Sequence, residues 1–233
     1  MKKTKIICVV GATASGKTAL GVELAKAVGG EIISADSMQV YKDMPIATAA
    51  ATDDEKQGVP HYLLEFLDSG DSFSVAEFVK LAKEKITDIA SRGKVPIIVG
   101  GTGLFVDSLV QNIEFADISA DESLRAELNG KSTDELYAML EKEDPTAAAN
   151  IHKNNRKRVI RALELAIGGT TKTEQNDNSR LADNPYDALY IGIGYKNRRT
   201  LYDRINRRVD IMIENGLVDE AKKMLSLTAA TAK

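Results

Sequence analysis

Gly11-Ala12-Thr13-Ala14-Ser15-Gly16-Lys17-Thr18 is the stretch of sequence that decides the fold. It fits the pattern Gly-x-x-x-x-Gly-Lys-Ser/Thr, a phosphate-binding loop (P-loop) in which backbone amides and the lysine surround a phosphate group. The pattern binds phosphate where it joins a buried strand to a helix. Residues 6–10 are continuously apolar, as in a strand covered on both faces, and residues 20–28 repeat apolar side chains at helical spacing. We therefore expect a phosphate-binding site here.

Strand and helix patterns continue to alternate after this loop. Residues 31–34 are typical of a second strand, which ends just before Asp36, and residues 95–99 are typical of another buried strand. Between them, Ser74 and Glu77 form the capping-box pattern that begins a helix. This alternation predicts an α/β fold, a P-loop NTPase-like doubly wound parallel sheet with a small helical insertion.

The character of the sequence changes after the third of these strands. Residues 112–144 consist of short, acidic, helix-prone segments, which we interpret as the helical insertion. Residues 1–111 and 145–233 are then expected to form the P-loop catalytic core. A strand over residues 189–195 and a helix over residues 200–215 complete the elements predicted for that core.

Composition excludes several classes of protein. The 233 residues are 43% hydrophobic and 28% charged, which is typical of a soluble protein with one domain, or with one domain and a modest insertion. No apolar run approaches the roughly 18 residues of a membrane span. The single cysteine, Cys8, excludes an internal disulfide framework and a thiolate zinc site, so the reducing cytoplasm is the expected compartment.

Charge is unevenly distributed, although the net charge is only −3. Residues 153–208 contain thirteen Lys and Arg against six Asp and Glu, a net charge of +7, and the other 177 residues carry a net charge of −10. Such a distribution indicates a face that meets a polyanion. A set of ordinary solvated helix faces is the alternative interpretation.

Seven stretches resemble, in their order along the chain, the tRNA dimethylallyltransferases, also called tRNA isopentenyltransferases. They are the P-loop, Ile33-Ser34-Ala35-Asp36-Ser37-Met38-Gln39-Val40-Tyr41, Val59-Pro60-His61, Ser72-Phe73-Ser74-Val75, Ile97-Ile98-Val99-Gly100-Gly101-Thr102-Gly103-Leu104, Arg158-Val159-Ile160-Arg161-Ala162-Leu163-Glu164 and Tyr202-Asp203-Arg204-Ile205-Asn206-Arg207-Arg208-Val209. That family transfers the dimethylallyl group of dimethylallyl diphosphate to the exocyclic N6 amine of the adenosine adjacent to the anticodon in tRNA. The resemblance covers nearly the whole chain, and it implies this activity, with Mg²⁺ as the cofactor.

By this resemblance the P-loop holds the diphosphate of the donor instead of a nucleotide. The implied diphosphate-binding residues are Gly11, Thr13, Ala14, Ser15, Gly16, Lys17 and Thr18, joined by Arg204 and Arg208. The hydroxyl of Thr18 is the implied Mg²⁺ ligand. Cations here would neutralise the charge that builds as the carbon–oxygen bond breaks. For Arg204 and Arg208, a role in tRNA binding stays open.

Asp36 and Thr102 are the catalytic residues that the resemblance implies, the first as the general base and the second as the group that orients the amine. Asp36 also follows the second strand at the carboxyl edge of the sheet, where ligands bind in this fold. An adenine amine is a poor nucleophile that must lose a proton, so a nearby carboxylate is chemically useful. A turn cap is the alternative role for such an aspartate.

The target base lies in a stacked anticodon loop and must be flipped out to be read. The residues that the resemblance assigns to tRNA binding are Asp36, Ser37, Met38, Gln39, Thr102, Arg125, Lys157, Arg158 and Arg161. Arg125 lies in the insertion, which is expected to face the tRNA, and the last three fall on one stripe of a basic helix. We expect the opposite stripe of that helix to pack inward, namely Val159, Ile160, Leu163 and Ile167. A solvated helix face is the alternative for the three cations.

The chain departs from the family pattern at two places. It has Ala47-Thr48-Ala49-Ala50-Ala51 where the family usually reads Gly-Thr-Ala-Lys-Pro, and it stops where members usually continue into further basic helices. We therefore expect a C-terminally shortened member, monomeric and without a membrane segment. Three other functions stay open: a P-loop small-molecule kinase of the nucleoside type, an adenylate isopentenyltransferase acting on free AMP or ATP, and a binding protein without turnover.

Overall fold

A five-stranded parallel sheet is the centre of the fold in this computed structural model, which describes residues 3–113, 115, 121–174, 177 and 184–231. The strands are β1 (Thr4–Gly11), β2 (Gly30–Ser34), β3 (His61–Tyr62), β4 (Val95–Gly100) and β5 (Tyr186–Ile193). Their order across the sheet is β3-β2-β4-β1-β5, and all neighbouring pairs are parallel. The predicted α/β fold with a parallel sheet is confirmed, although the last strand lies earlier in the chain than the predicted range of 189–195.

The helices of the described residues connect and cover these strands. They are α1 (Lys17–Val28), α2 (Pro45–Thr48), α3 (Asp53–Lys56), α4 (Val75–Ser91), α5 (Gly103–Val110), α6 (Glu122–Gly130), α7 (Thr133–Glu143), α8 (Pro145–Asn150), α9 (Arg156–Ile167), α10 (Arg198–Glu214) and α11 (Leu217–Thr231). The capping box predicted at the start of α4 is confirmed, because Ser74 and Glu77 each accept a hydrogen bond from the other's backbone N–H. Among the described residues, no helix combines the length and the apolar character that crossing a membrane requires.

The chain divides into two compact units. The first comprises Met1–Val110 and Asn184–Lys233, and the second comprises Gln111–Asp183. The predicted insertion, residues 112–144, lies inside the second unit. That unit also contains residues 145–183, which we had expected in the catalytic core, so it is larger than the sequence patterns indicate.

One hydrophobic cluster explains the size of the second unit. Leu128 of α6 and Leu140 of α7 pack there with Val159 and Leu163 of α9, and all four side chains are buried. The basic helix α9 therefore belongs to this cluster, which long-range packing creates. Its inward stripe agrees with the prediction except at Ile167, which is the last residue of α9 and is 51% exposed.

Both faces of the neighbouring strands β2, β4 and β1 are covered, whereas the edge strand β5 leaves Leu189 and Tyr190 exposed. Val9, Ile32 and Ile97 come from three neighbouring strands and pack in one cluster with residues of α1. Ile33 and Ile98 follow them in sequence, point to the opposite face and are equally buried. This double coverage is the reason that the strands are continuously apolar in sequence.

A buried carboxylate lies near the beginning of β2. Glu31 is 1% exposed and accepts hydrogen bonds from Arg92 at 2.8 and 2.7 Å, from Tyr62 at 2.9 Å and from Lys94. The hydrogen bonds from Arg92 lower the pKa of Glu31 to about 2, against the opposing effect of burial. Because the strands are parallel, this group lies at the end of the sheet opposite to the P-loop, and its role is structural.

Replacement of Glu31 by Gln should destabilise the protein. The substitution leaves two cations beside a neutral amide, and we expect the free energy of unfolding at pH 7 to fall by about 3 kcal/mol. The folded pKa of about 2 lies below the ordinary value of 4.5. The stability that ionised Glu31 contributes is therefore complete at pH values above 4.5, and it is lost as the pH falls towards the folded-state pKa of about 2. Urea denaturation of wild type and E31Q across this pH range measures the difference.

The surface pair of Glu23 and Lys26 provides the control, since both side chains are largely exposed. E23Q should change the free energy of unfolding by less than about 0.5 kcal/mol at any pH. The difference in the free energy of unfolding between E31Q and wild type should shrink as the pH falls towards 2. If this difference stays constant from neutral pH to about pH 2, the lowered pKa of Glu31 is contradicted.

Candidate active site

A cavity of about 820 Å³ lies at the carboxyl end of the sheet in the first unit. Its walls come from the P-loop, the turn after β2, α2, the turn after β4, and α10. The predicted site residues that line it are Thr13, Ala14, Ser15, Gly16, Lys17, Thr18, Asp36, Gln39, Arg204 and Arg208. Residues from distant parts of the sequence therefore meet at one cavity.

The P-loop turns sharply at Gly16, directly before α1 begins at Lys17. The backbone φ angle of Gly16 is 99°, in the region that favours glycine. Gly16 is also the N-cap of α1, and no side chain of the described residues caps this helix. The first backbone amides of α1 can therefore donate to an anion, as helix N-termini do.

Lys17 folds back over the P-loop. Its Nζ donates hydrogen bonds to the backbone oxygens of Gly11 at 3.1 Å and of Ala12 at 2.8 Å. Burial lowers the pKa of Lys17; the carboxylate of Asp36 acts in the opposite direction, and the positive charge of Arg208 lowers the pKa further. The ammonium group is thus held by the carbonyls of the loop, close to charges from two other segments.

Ser15 supplies a hydroxyl that the protein itself does not use. The residue is 5% exposed, and its Oγ has no hydrogen-bond partner among the residues that the structure describes. A buried hydroxyl without a partner is energetically costly. Ser15 lines the cavity, and rotation of its side chain would let the buried hydroxyl donate a hydrogen bond to an oxyanion bound in the loop.

Asp36 lies in a tight turn after β2. Its Oδ1 accepts a hydrogen bond from the backbone N–H of Met38 at 2.9 Å, which is the turn-capping role considered above as the alternative. Its Oδ2 lies on the side of Gly101, where a methyl group added to the glycine would be 3.9 Å from this oxygen and 3.6 Å from Lys17 Nζ. One oxygen of the carboxylate therefore serves the turn, and the other faces the P-loop side of the cavity.

Thr102 connects the turn after β4 with the turn that carries Asp36. Its Oγ1 accepts a hydrogen bond from the Ser37 N–H at 3.0 Å, and its own N–H donates to the backbone oxygen of Ala35 at 3.2 Å. The two turns approach so closely that a methyl group on Gly100 would lie 2.1 Å from the Ala35 oxygen. Thr102 thereby holds the residues on both sides of Asp36.

Gln39 and Met38, both predicted to contact the base, have different surroundings. The side chain of Met38 is exposed. The amide of Gln39 donates to the backbone oxygens of Thr48 at 3.2 Å and Ala49 at 3.0 Å, and it accepts from Ser34 Oγ at 3.1 Å. Gln39 therefore ties α2 to the end of β2, a contact between segments that no local pattern reveals.

Arg204 of α10 contacts the P-loop directly. Its Nε donates to the backbone oxygen of Ala14 at 2.8 Å, and its guanidinium carbon lies 5.7 Å from the centre of the Tyr195 ring. The hydroxyl of Tyr195 in turn donates to the backbone oxygen of Ser15 at 3.2 Å. Arg204 was expected to bind either the diphosphate or the tRNA, and these contacts with the P-loop favour the diphosphate.

Two more arginines of α10 lie on the same side of the cavity. Arg208 is close enough to lower the pKa of Lys17, and Arg207 also lines the cavity. Arg207 was not among the predicted site residues, although its spacing of three residues from Arg204 was a usable signal. Together with Lys17, these arginines give the cavity a strongly positive wall.

The four basic residues of the second unit that were predicted to bind tRNA fall into two groups. Arg125 donates to the buried carboxylate of Glu164 at 2.6 and 2.9 Å, and Arg161 donates to it at 3.1 Å. Burial acts to raise the pKa of Glu164, but the two arginines outweigh it and lower the pKa. Lys157 and Arg158, by contrast, are exposed on α9.

The fold and the cavity together define an α/β protein in which a glycine-rich loop and an aspartate line one cavity. A family model described as IPP transferase matches residues 39–233. The chain is 50% identical over 227 residues to the tRNA dimethylallyltransferase of Halalkalibacterium halodurans, and the match covers 95% of this chain and 72% of that protein. The chain therefore belongs to the tRNA dimethylallyltransferase (IPP transferase) family, as the resemblance indicated.

Solved structures agree with this assignment. A eukaryotic dimethylallyltransferase crystallised acting on tRNA matches with a TM-score of 0.85 and 31% identity, over 98% of this chain and 57% of that one. The full-length tRNA isopentenylpyrophosphate transferase from Bacillus halodurans matches with a TM-score of 0.65 and 46% identity, over 97% of this chain and 71% of that one. These matches confirm the P-loop NTPase-like fold.

Substitution of Gly100 by Ala should disrupt the site, because the added methyl group would lie 2.1 Å from a backbone oxygen of the adjacent turn. We expect G100A to lose about 3 kcal/mol in the free energy of unfolding, the upper end of the usual range for overpacking, because the contact is with backbone. G103A is the matched control, since nothing lies within 4 Å of the position of its methyl group. Thermal denaturation compares the stability of the two variants. Equal melting temperatures would contradict the close approach of Gly100 to the backbone of Ala35.

Proposed function

We propose that this chain transfers the dimethylallyl group from dimethylallyl diphosphate to the exocyclic N6 amine of the adenosine adjacent to the anticodon in tRNA, giving N6-dimethylallyladenosine. The observation that carries the proposal is that the P-loop and Asp36 line one cavity of the first unit. Membership of the family supports the reaction and favours it over a small-molecule kinase or an adenylate isopentenyltransferase.

The donor diphosphate would lie in the P-loop. The backbone amides at the start of α1 and the unpartnered hydroxyl of Ser15 are suitable donors to its oxygens. Lys17, Arg204 and Arg208 would neutralise the charge that the diphosphate gains when the bond between its oxygen and the allylic carbon breaks. The electron pair of that bond leaves with the diphosphate.

The acceptor amine would approach from the side of Asp36. The lone pair of N6 forms the new bond to the allylic carbon, and the nitrogen then carries one proton too many. Asp36 Oδ2, which is not used in the turn hydrogen bond, is suited to take that proton, while Thr102 orients the amine. Ser37 and Met38 follow Asp36 and would contact the flipped base. Gln39 also lines the cavity, but its amide nitrogen already donates to Thr48 and Ala49, so pairing with the base would require those hydrogen bonds to break.

The residues at the P-loop fit a magnesium ion held mainly by the substrate. Mg²⁺ commonly takes few protein ligands and completes its octahedron with water and substrate phosphates. Thr18 lines the cavity and would contribute its hydroxyl, and the described residues contain no cluster of three acidic, cysteine or histidine side chains that would hold the ion alone. When bound, the ion adds positive charge beside the leaving diphosphate.

The second unit would contact the tRNA backbone, with the residues predicted as the insertion, 112–144, on that side. Lys157 and Arg158 are exposed on α9 and suited to phosphate contacts. Arg125 and Arg161 are both about half exposed despite their pairing with Glu164, so they can add charge at this surface.

We further propose that the chain acts as a monomer in the cytoplasm. The P-loop and Asp36 line the cavity within a single copy of the chain, which is compatible with a monomer. The single cysteine, Cys8, is buried and its thiol is free, which fits a reducing compartment.

Asp36→Asn tests the general base. The variant keeps an oxygen for the Met38 N–H but cannot accept the proton, so the turn should survive while the rate falls. We expect the single-turnover rate of transfer to fall about 10²- to 10⁴-fold with little change in donor affinity. The measurement uses radiolabelled dimethylallyl diphosphate, Mg²⁺ and an anticodon stem-loop.

Asp68→Asn is the control for this experiment, because Asp68 is an exposed partner of Lys42. It should react at the wild-type rate. Transfer by D36N at the wild-type rate would refute the role of Asp36. Consumption of ATP with phosphorylation of a small acceptor, and no transfer by the wild type, would instead support a kinase.

The double substitution K157A/R158A tests the tRNA surface. Removal of two phosphate contacts should raise the KM for the stem-loop about tenfold at moderate salt and reduce the slope of log affinity against log salt by about 2. The KM for dimethylallyl diphosphate should not change.

K80A/K83A removes the same number of charges from α4 and serves as the control. Steady-state kinetics at several salt concentrations compares the two double variants. An equal loss of tRNA affinity in both would mean that net charge, and not the α9 surface, determines binding.

A further inference from the structure

Glu220 of α11 makes a contact that the proposed reaction does not explain. Its carboxylate accepts hydrogen bonds from the backbone N–H groups of Ile46 at 3.0 Å and Ala47 at 2.8 Å. Both residues belong to α2, which is 174 and 173 positions away in the sequence. The contact lies entirely within the first unit.

The start of α2 depends on this carboxylate. The N-cap residue, Met44, contributes no side-chain hydrogen bond, and Pro45 at the first helical position has no N–H to donate. The remaining donors of the first turn are the N–H groups of Ile46 and Ala47, and Glu220 accepts from both. A negative charge is also favourable at a helix N-terminus.

The other end of α2 is held by the amide of Gln39. It donates to the backbone oxygens of Thr48 and Ala49 and accepts from Ser34 Oγ at the end of β2. Gln39 therefore fixes α2 relative to the turn of Asp36. Glu220 fixes α2 relative to α11, which directly follows the helix that carries the cavity arginines.

One wall of the cavity is made by α2 and its end. Pro45, Ile46 and Ala49 line the cavity there, and Ile211 and Met212 of α10 are further apolar lining residues. This apolar surface differs from the positive wall at the P-loop. It suits the hydrocarbon part of an allylic diphosphate, since apolar surfaces in ligand pockets take apolar groups.

We propose that Glu220 is a positioning residue that, by capping α2, holds the apolar wall of the cavity in place and thereby sets the affinity for the hydrocarbon chain of the donor. The identity of the donor rests on the proposed function, whereas the capping of α2 by Glu220 is independent of that function. Glu220 touches no reacting atom.

Glu220→Ala and Glu220→Gln test the cap, with Asp219→Asn as the matched control. Asp219 is the adjacent carboxylate on the same helix, and it forms an exposed ion pair with Lys222. Hydrogen exchange at the amides of Ile46 and Ala47 is the first readout and needs no substrate. Local opening controls such exchange, so we expect it to be at least about tenfold faster in E220A, less accelerated in E220Q, and unchanged in D219N.

Steady-state kinetics is the second readout. The KM for dimethylallyl diphosphate should rise about tenfold in E220A, which corresponds to about 1.4 kcal/mol. The KM for the anticodon stem-loop should stay at the wild-type value. The inhibition constant of inorganic pyrophosphate should also stay unchanged, because this anion needs the P-loop but has no chain to contact the apolar wall.

Faster exchange in E220A with a raised donor KM and unchanged pyrophosphate inhibition supports the proposal. Unchanged exchange overturns the cap, and faster exchange with an unchanged donor KM overturns the positioning role. An equal weakening of pyrophosphate and donor indicates general damage and also overturns it. If E220A does not fold, E220Q decides by the same criteria. A wild type that transfers nothing refutes the proposed function and the donor part of this proposal, while exchange still decides the cap.

Discussion

The close approach of β2 and β4 at their carboxyl ends is the constraint on which the rest of the site depends. Ala35 donates to the backbone oxygen of Val99 at 2.8 Å and accepts from the Thr102 N–H at 3.2 Å, which leaves no room for a side chain at Gly100. Since β4 lies between β2 and β1 in the sheet, this contact brings the turn of Asp36 beside the P-loop. The strand order, and not proximity in the sequence, makes these groups neighbours.

The positive wall of the cavity is arranged by the protein itself. Lys17 donates to two carbonyls of the P-loop, and Arg204 donates to a third. These hydrogen bonds fix the cations at the P-loop, so little reorganisation would be needed if an anion bound there and gained charge. A diphosphate would compete for Lys17 with neutral carbonyls, and charge-assisted hydrogen bonds are the stronger ones.

Local patterns in the sequence were sufficient for four of the five strands, but not for the two-residue β3, and they were sufficient for the P-loop and for the capping box of Ser74. Each of these depends on residues within a few positions of one another. The extent of the second unit was not predictable in this way, because it depends on long-range packing such as that between Leu140 and Leu163. The pairing of Arg125 with Glu164 across 39 positions was hidden for the same reason. In the candidate site, ten of the predicted residues line one cavity, and the structure adds the contacts that hold them.

The positive wall and the apolar wall of the cavity depend on α10 and α11, respectively, and the two helices act through different kinds of interaction. On the phosphate side, Arg204 of α10 binds a loop carbonyl through a charged donor. On the apolar side, Glu220 of α11 binds two backbone amides of α2 through a charged acceptor. The sequence motif for phosphate binding is N-terminal, yet α10 and α11 position both the charge that would meet the diphosphate and the wall that would meet the hydrocarbon chain in the proposed function. On that proposal, a change in either helix would alter the affinity for one part of the donor without altering the affinity for the other.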